Sequence, residues 1–323
     1  MKALVYHEYG SPDVLRLEDI GKPVVGDDQV LIRVRAASVN PLDWHFMRGT
    51  PYFLRMVAGL RKPKENRLGV DVAGTIEAVG RSVSLRKPGD EVFGACRGAF
   101  AEYACTPESA VVMKPDNITF EQAASVCVAA LTALVGLRDQ GQIHAGQKVL
   151  INGAAGGVGT FAVQIAKSFG AEVAGVCSAR NLEMVRSIGA DRVIDYAKED
   201  FASMGQRYDL ILDCVGNHSL SEFRRVLNPQ GAYVAVGGPS GRWMIGGLLK
   251  AIFLPLFSLF GSQKFTTVLM RRSNQDLSIL RELMASGKVT PVIDRSYGLT
   301  EVPEAIRYLE QGHARGKVVI TVG

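Results

Sequence analysis

The sequence predicts an α/β protein in which a mostly antiparallel β domain precedes a doubly wound parallel sheet. Up to about residue 120, short alternating runs such as DDQVLIRVRAASV and VAGTIEAVG follow one another with glycine, proline and aspartate turns between them. From about residue 121, short apolar runs such as KVLING and YDLILDCVG alternate with helical patterns. Apolar strands that alternate with helices form a parallel sheet covered on both faces.

The domain boundaries follow from this change of pattern. A chain of 323 residues is long enough for two domains. We place the β domain at 1–122 and the nucleotide-binding domain at 123–262. The remaining segment, 263–323, completes the edge of the parallel sheet and then returns to the first domain. Thr119 is placed to cap the helix that begins the second pattern.

The composition is that of a globular protein, with 47% hydrophobic residues and a formal net charge of +5. This surplus does not indicate a nucleic-acid partner, since no aromatic platform motif accompanies it. Five cysteines without a CxxC spacing are consistent with free thiols in a reducing compartment. The N-terminus lacks the apolar core of a signal peptide, so we expect a cytoplasmic protein.

One apolar run, residues 243–260, bears on the location. A membrane-spanning helix needs about 20 uninterrupted apolar residues, whereas this run contains Lys250 and Pro255. The pattern favours a buried or interface helix. Weak contact with a membrane surface through this run remains the alternative.

The turn GAAGGVG lies between a predicted strand and a predicted helix. A helix N-terminus presents unpaired backbone N–H groups and a partial positive charge, which attract phosphate. Gly153, Gly156 and Gly159 have the spacing of a dinucleotide-binding turn. Ala154, Ala155 and Gly157 are small enough to leave room for a pyrophosphate, and Gly159 would let the helix pack on the strand. The sequence therefore predicts a dinucleotide cofactor.

The end of the next strand indicates which dinucleotide is bound. NAD sites usually carry an acidic residue there, about 20 residues after the turn, which binds the ribose 2′-hydroxyl. This strand ends VCSARN, and neither Ser178, Arg180 nor Asn181 is acidic. A 2′-phosphate would gain a charge-assisted bond to Arg180 worth about 1.5 to 3 kcal/mol, which favours NADPH. The alternative is that Arg180 is a solvated residue at a helix start.

The sequence resembles the medium-chain dehydrogenase/reductase superfamily, and within it the zinc-independent quinone oxidoreductase or zeta-crystallin branch. The run GQKVLINGAAGGVGTFAVQIAK matches that branch throughout, and AASVNPLDW, LGVDVAGTIEAVG, GDEVFG, DCVG and GKVVITV extend the match over most of the chain. The resemblance implies a GroES-like catalytic domain joined to a Rossmann domain, with the active site in the cleft between them.

The resemblance also implies which residues meet the cofactor. Thr132 would lie beside the nicotinamide, and Gly156 to Val158 beside the pyrophosphate. Further cofactor-lining positions are carried over for the 2′-phosphate and adenine pocket and for the rest of the groove: Ser178, Arg180, Tyr196, Val215, Gly216, Gly237 and, from the final strand, Lys317.

We expect no metal. A catalytic zinc needs three protein ligands and an open position. Where zinc-dependent relatives carry a histidine within GHE, this chain has Gly69, Val70 and Asp71, and no group of four closely spaced cysteines forms a structural zinc lobe. Without a Lewis acid, hydride addition to an electron-poor acceptor is easier than alcohol oxidation, because a hydrogen-bond donor suffices to stabilise the growing enolate.

Candidate donors lie in NPLDWHFMRGTPY. In the resemblance, Asn40 and Asp43 match positions near the nicotinamide and the acceptor, unless they only cap the local turn. His45 is able to donate or relay a proton near neutral pH, or it simply packs beside Trp44. Tyr52 falls near the tyrosine that enoyl-thioester reductases use, but here the order is Pro-Tyr rather than Tyr-Pro.

The function favoured by these residues is an NADPH-dependent reductase of quinones or α,β-unsaturated carbonyls. One alternative is an enoyl-thioester reductase. Another is an NADPH-binding protein with little catalysis that acts at a membrane surface or on RNA. The branch also implies a homodimer, for which the run KFTTVLM, residues 264–270, is a candidate sheet edge.

Overall fold

The computed structural model describes residues 1–236, 253–259, 261–268 and 273–323. These residues form two compact units. The first unit comprises Met1–Val128, Arg272–Gly287 and Pro291–Gly323, and the second comprises Ala129–Arg271 and Lys288–Thr290. Gly237 and most of the apolar run 243–260 lie outside the described residues.

The first unit contains a mostly antiparallel sheet in which β6 pairs with β3 and the other strands follow the order β14-β15-β3-β4-β5-β7. Only β14 and β15 run parallel within it, and β1 pairs separately with β2. The strands of this unit are β1 (Lys2–Val5), β2 (Arg16–Asp19), β3 (Gln29–Val39), β4 (Asp71–Val79), β5 (Glu91–Ala95), β6 (Tyr103–Pro107), β7 (Val111–Met113), β14 (Ile293–Gly298) and β15 (Lys317–Thr321).

Helices cover this sheet and close its core. The helices of the first unit are α1 (Pro41–Arg48), α2 (Leu54–Ala58), α3 (Phe120–Ala124), α8 (Asn274–Ala285) and α9 (Val302–Glu310). The alternating strands turn apolar side chains such as Ile32, Val72 and Val318 inwards, where they pack with Met47 of α1 and Ile306 of α9. Because β15 pairs with β3, the end of the chain contributes directly to this core.

The second unit contains an all-parallel sheet of order β10-β9-β8-β11-β12-β13. This is the strand order of a doubly wound dinucleotide-binding fold. Its strands and helices are β8 (Lys148–Asn152), β9 (Glu172–Cys177), β10 (Arg192–Asp195), β11 (Tyr208–Asp213), β12 (Leu227–Ala235), β13 (Lys264–Thr267), α4 (Cys127–Val135, of which the last seven residues belong to this unit), α5 (Gly157–Ser168), α6 (Leu182–Ser187) and α7 (Leu220–Val226).

The buried strands of this sheet explain the uninterrupted apolar runs in the sequence. Leu150, Ile194 and Ile211 are fully buried, and aromatic rings of Phe223 and Phe265 fill one side of the sheet. Since all strands run parallel, the carboxyl ends of β8 to β11 meet at one edge, which is where ligands bind in such folds.

The helical pattern that follows Thr119 is divided in two. Thr119 caps α3 as predicted, because its hydroxyl accepts the N–H of Gln122 while the Gln122 side chain accepts the N–H of Thr119. The sequence pattern predicted one continuous helix here. Instead, α3 ends at Ser125, whose hydroxyl donates to the Gln122 carbonyl. The next helix, α4, begins two residues later.

Part of the apolar run is described, at 253–259, where a short helix buries Leu254 and exposes Phe253, Leu256 and Leu259. None of the helices in the described ranges has the length and hydropathy that crossing a membrane requires. Lys264–Thr267 of KFTTVLM forms β13, the last strand in the order of the described sheet.

Candidate cofactor and catalytic sites

The glycine turn joins β8 to α5 in the second unit. Gly153 has a φ of +87°, a conformation that glycine adopts without strain. A Cβ on Gly159 would lie 2.1 Å from the carbonyl oxygen of Gly153, so only glycine permits α5 to pack this closely. These two glycines are therefore required by the fold itself.

Gly156 differs from both. It is the N-cap of α5, its φ of −82° is open to any residue, and a Cβ would meet only the Gly153 carbonyl oxygen at 3.5 Å. The protein itself leaves this space empty. The amides of Gly157, Val158 and Gly159 are in the first turn of α5 and lack a carbonyl four residues back within the helix. This combination fits a pyrophosphate, while Ala154 and Ala155 are buried beneath the turn.

Ser178 and Arg180 follow the carboxyl end of β9, and Tyr196 follows that of β10, which pairs with β9 in parallel. The N–H of Tyr196 donates to the Cys177 carbonyl at 3.2 Å, and Asn181 Nδ2 donates to Ser178 Oγ at 3.1 Å. Arg180 is exposed, and the Tyr196 ring is 61% exposed. The end of β9 therefore presents a hydroxyl and a guanidinium, and the adjacent end of β10 presents an aromatic ring.

The acid nearest to this end in strand register is Asp195, opposite Cys177. Asp195 is buried, and its Oδ1 accepts the N–H of Ala197 at 3.1 Å. The residues after β9, from Ser178 to Asn181, thus carry no negative charge, and Arg180 is exposed among them, which is the arrangement that suits a 2′-phosphate.

Asp213, which ends β11, holds the turn that contains Val215 and Gly216. Its Oδ1 accepts the N–H groups of Val215 at 3.1 Å and Gly216 at 2.9 Å, and also Asn152 Nδ2 at 2.9 Å. Its Oδ2 accepts the hydroxyl of Tyr233 at 2.7 Å. Burial, followed by the charge of Asp213, raises the pKa of Tyr233 well above its usual value, so this hydroxyl remains a donor.

Sequence reasoning did not select Asp213. The available signal was an acidic residue at the end of the apolar run YDLILDC, since a buried carboxylate needs several donors. Asn152 belongs to the same network because its Nδ2 also donates to Asn217 Oδ1 at 2.9 Å. Thr132, the remaining described candidate of this unit, is half-buried in α4.

In the first unit, Asn40 and Lys317 belong to one buried polar cluster. Lys317 Nζ donates to Asn40 Oδ1 at 2.6 Å and to Asp71 Oδ2 at 3.5 Å. Asn40 Nδ2 donates to Asp71 Oδ2 at 3.0 Å and to the Ser38 carbonyl at 3.3 Å. Asp71 also accepts the Ser38 hydroxyl at 2.8 Å and the N–H of Val128 at 2.9 Å. Lys317 is only 3% exposed, and within its unit its ammonium serves Asn40 and Asp71.

Asp43 is also buried and caps α1. Its Oδ2 accepts the N–H of Asn40 at 2.8 Å, and its Oδ1 accepts the N–H of Gly69 at 3.0 Å. Burial raises the pKa of Asp43 to about 7, since removal from water outweighs the two backbone hydrogen bonds. Asn40 and Asp43 thus form the local cap that the sequence left open as an alternative to catalysis.

His45 and Tyr52 lie nearer to the surface of the same unit. The Nδ1 of His45 is 2.7 Å from the Thr50 carbonyl, so Nδ1 carries the proton and Nε2 bears the lone pair in the neutral ring. Burial lowers the pKa of His45, and its ring centre lies 3.7 Å from that of Trp44, with the two rings tilted by 30°. Tyr52 is 41% exposed, and the Arg55 guanidinium lies 5.0 Å from its ring centre.

No set of three histidine, cysteine or carboxylate side chains converges as a metal site among the residues that the structure describes. Asp71, which replaces the acidic residue of GHE, contacts Lys317, Asn40 and Ser38 instead.

Comparison with known proteins identifies the family. The family model described as an alcohol dehydrogenase GroES-like domain matches residues 26–116, and that described as a zinc-binding dehydrogenase matches 188–320. The 2-methylene-furan-3-one reductase of Solanum lycopersicum is 36% identical over 335 residues, which cover 99% of this chain and 79% of the relative. The chloroplastic NADPH-dependent alkenal/one oxidoreductase of Arabidopsis thaliana is 37% identical over 336 residues, with the same coverage.

A solved structure of similar size supports the same assignment. The quinone oxidoreductase from Coxiella burnetii superposes with a TM-score of 0.86 at 31% identity and covers 100% of this chain and 99% of that one. The predicted fold, a GroES-like domain with a Rossmann parallel sheet, is confirmed. The chain belongs to the medium-chain dehydrogenase/reductase superfamily, in its zinc-independent quinone oxidoreductase branch.

Proposed function

We propose that this protein is an NADPH-dependent, zinc-independent reductase that transfers hydride to quinones or α,β-unsaturated carbonyls. The observation that carries the cofactor assignment is the acid-free end of β9, where Ser178 and Arg180 follow the strand that pairs with β8, and β8 leads into the glycine turn. The acceptor class rests on the relatives, which are named as reductases of furanones, alkenals and quinones.

Each part of the cofactor has a proposed partner in the second unit. The first-turn amides of α5 bind the pyrophosphate, and Arg180 binds the 2′-phosphate. The open space at Gly156 allows the pyrophosphate to approach the backbone closely. Val215 and Gly216, held by Asp213, line the groove, as does Thr132. Gly237 is assigned to the same groove from the resemblance alone.

When bound, NADPH supplies the hydride that the acceptor receives. The acceptor oxygen gains negative charge during that transfer and needs a hydrogen-bond donor. Asn40 does not meet this need, since its two amide hydrogens are donated to Asp71 and Ser38. We assign Asn40, Asp43 and Lys317 the role of holding α1 and the loop that follows it in place.

His45 is a proton acceptor rather than a donor at neutral pH, because its pKa is lowered and Nδ1–H is directed at the Thr50 carbonyl. Tyr52 offers a partly exposed hydroxyl. We propose that the proton that completes enone reduction comes from Tyr52 or from water, and that His45 orients this water through Nε2.

Steady-state turnover of NADPH with a panel of quinones and enones tests the function. Loss of NADPH that depends on the acceptor supports it, and the absence of acceptor-dependent loss across the panel contradicts it. Tyr52→Phe tests the proton donor, with His45→Gln as a comparison: a large fall in enone turnover with quinone turnover spared would identify Tyr52 as that donor. Turnover of enoyl thioesters far above that of free enones and quinones would favour an enoyl-thioester reductase.

We further propose a homodimer paired through β13 and a cytoplasmic location. The support for the dimer is that β13, Lys264–Thr267, ends the order of the described parallel sheet and so offers an unpaired edge. Sedimentation equilibrium of the wild type and of Thr266→Pro tests this. A monomeric wild type, or a dimer that this proline leaves intact, contradicts the proposed edge pairing.

A further inference from the structure

Four apolar side chains are exposed together on α2 and its flanking turns in the first unit. Met56, Val57 and Leu60 are 74%, 77% and 72% exposed, and Phe53 precedes them on the same surface segment. Isolated exposed apolar residues are common, but such a concentration within eight residues of chain marks an interaction surface. We call residues 53–60 the apolar tip.

The apolar tip is fixed to its domain rather than loosely attached. Tyr9 donates its hydroxyl to the Gly59 carbonyl at 2.6 Å, and Arg55 Nε donates to the Gly49 carbonyl at 3.0 Å. The Arg55 guanidinium also lies 4.5 Å from the centre of the Tyr9 ring. These contacts hold the backbone of the apolar tip against the rest of the first unit, while the side chains of Met56 and Val57 remain exposed to solvent.

Cationic side chains follow the tip directly. Arg61, Lys62 and Lys64 are all exposed. Glu65 is the one acidic residue between Gly49 and Arg67, and Arg67 Nε lies 3.5 Å from its carboxylate. Because Glu65 and Arg67 offset each other, Arg61, Lys62 and Lys64 give the segment beside the tip a net charge of +3. An apolar surface bordered by basic residues is the combination that binds at the boundary between lipid headgroups and acyl chains.

We propose that the apolar tip and its three cations dock the protein on the surface of an anionic lipid bilayer. The apolar side chains enter the boundary between headgroups and acyl chains, and Arg61, Lys62 and Lys64 bind lipid phosphates. Each such cation raises partitioning onto anionic membranes roughly fivefold, so the three together raise it on the order of a hundredfold. This inference stands apart from the proposed catalytic activity.

The chemistry of the tip favours lipid over an acidic protein. Protein interfaces carry about one hydrogen bond per 100–200 Å². Phe53, Met56, Val57 and Leu60 have no side-chain donor or acceptor, and the guanidinium of Arg55 already donates to the carbonyls of its own domain. Acyl chains need no hydrogen bonds, while the phosphate groups above them match the cations.

The chain offers a matched control in the second unit. Phe253, Leu256 and Leu259 are exposed on a short helix, but the described segment 253–259 contains no charged residue. The sequence left weak membrane contact through 243–260 as an alternative, and most of that run lies outside the described residues. In 53–64, apolar exposure and positive charge coincide.

Vesicle flotation tests the proposal. We expect the full-length protein to float with phosphatidylcholine vesicles that contain phosphatidylglycerol, to float much less with pure phosphatidylcholine, and to dissociate as salt is raised. The triple variant Met56→Ser, Val57→Ser, Leu60→Ser should lose most of this binding. The triple variant Arg61→Gln, Lys62→Gln, Lys64→Gln should bind anionic vesicles on the order of a hundredfold more weakly.

The control is a triple variant of the uncharged helix in the second unit: Phe253→Ser, Leu256→Ser, Leu259→Ser. It should float like the wild type, and thermal melting should confirm that all variants fold. The proposal is overturned if the wild type does not float with anionic vesicles, or if either tip variant floats as well as the wild type. It is also overturned if the first tip variant only changes the sedimentation mass, which would make the tip a contact between copies of the chain.

Discussion

The ammonium of Lys317 lies 2.6 Å from the side-chain oxygen of Asn40, although 277 residues separate them in sequence. The same ammonium is the cation nearest to the buried carboxylate of Asp71 in the first unit, at 3.5 Å. The last strand of the chain thus fixes the start of α1, and with it the segment that carries His45 and Tyr52.

Lys317→Met should destabilise the protein by about 3 kcal/mol, because it leaves the buried carboxylate of Asp71 without its cation. Urea unfolding measures this loss. Arg315→Met, at an exposed position two residues away, should change the free energy of unfolding by less than about 0.5 kcal/mol. Equal effects of the two substitutions would show that the buried ion pair contributes nothing specific.

The raised pKa of Asp43 makes stability depend on pH. Burial raises this pKa from 3.8 to about 7 in the folded state. Between these values the unfolded chain releases the proton while the folded protein retains it, so the contribution to stability falls as pH rises, by about 1.4 kcal/mol per pH unit. It is fully present below about pH 4 and is lost by about pH 7.

The measurement is the difference in unfolding free energy between the wild type and Asp43→Asn, determined in urea at pH 5 and at pH 8. This difference, wild type minus variant, should decrease by about 2 to 3 kcal/mol over that range. A difference that stays constant, or that grows with pH, is incompatible with a protonated Asp43 in the folded protein.

The Asp213 network predicts separate effects for its two carboxylate oxygens. Asp213→Ala removes the acceptor for the N–H groups of Val215 and Gly216, so hydrogen exchange at this turn should accelerate and NADPH affinity should fall about tenfold. Tyr233→Phe affects only the opposite oxygen and should leave exchange at the turn unchanged while costing about 1 kcal/mol of stability. Equal exchange at the turn in both variants would refute this positioning role.

Gly156, the N-cap of α5, and Gly159, in its first turn, should respond differently to alanine. Gly159→Ala forces a Cβ within 2.1 Å of the Gly153 carbonyl oxygen and should destabilise the fold by several kcal/mol, on the order of the largest single-site effects. Gly156→Ala meets nothing closer than 3.5 Å and should leave the melting temperature nearly unchanged while weakening NADPH binding at least about tenfold. Fluorescence titration measures NADPH binding. A Gly156→Ala variant that binds NADPH as tightly as the wild type would contradict the proposed pyrophosphate site.

Arg180 should control the choice between the two nicotinamide cofactors. Arg180→Ala removes the proposed bond to the 2′-phosphate and should reduce the ratio of NADPH to NADH affinity by roughly tenfold to a hundredfold. Arg186→Ala, on the following helix, serves as the control and should preserve the ratio. If the ratio is unaffected by Arg180→Ala, the 2′-phosphate is bound elsewhere.

The sequence anticipated those features that depend on local pattern. Strand and helix periodicity predicted both sheets, and the spacing of Gly153, Gly156 and Gly159 predicted the turn between β8 and α5. The expectation that Gly159 lets the helix pack on the strand is confirmed, but the sequence did not separate Gly153, which the fold also needs, from Gly156. That distinction depends on backbone atoms that approach only after α5 has packed on the sheet.

The sequence predicted that the end of the chain returns to the first domain, but local pattern did not show which strand it would pair with. The pairing of Lys317 with Asn40 arises because β15 returns beside β3, and a long-range strand pairing leaves no local trace in either segment. For the same reason the sequence offered Asn40 as a donor to substrate, whereas folding commits its amide hydrogens to Asp71 and Ser38.

The most direct test of the proposed function is transfer of deuterium from NADPH deuterated at the transferring position of the nicotinamide. With an enone acceptor, mass spectrometry should find one deuterium on the β-carbon of the saturated product, and NADH should support the reaction far less well. A reduced product without deuterium at that carbon, or no product with any enone or quinone tried, would contradict the assignment of this protein as an NADPH-dependent reductase.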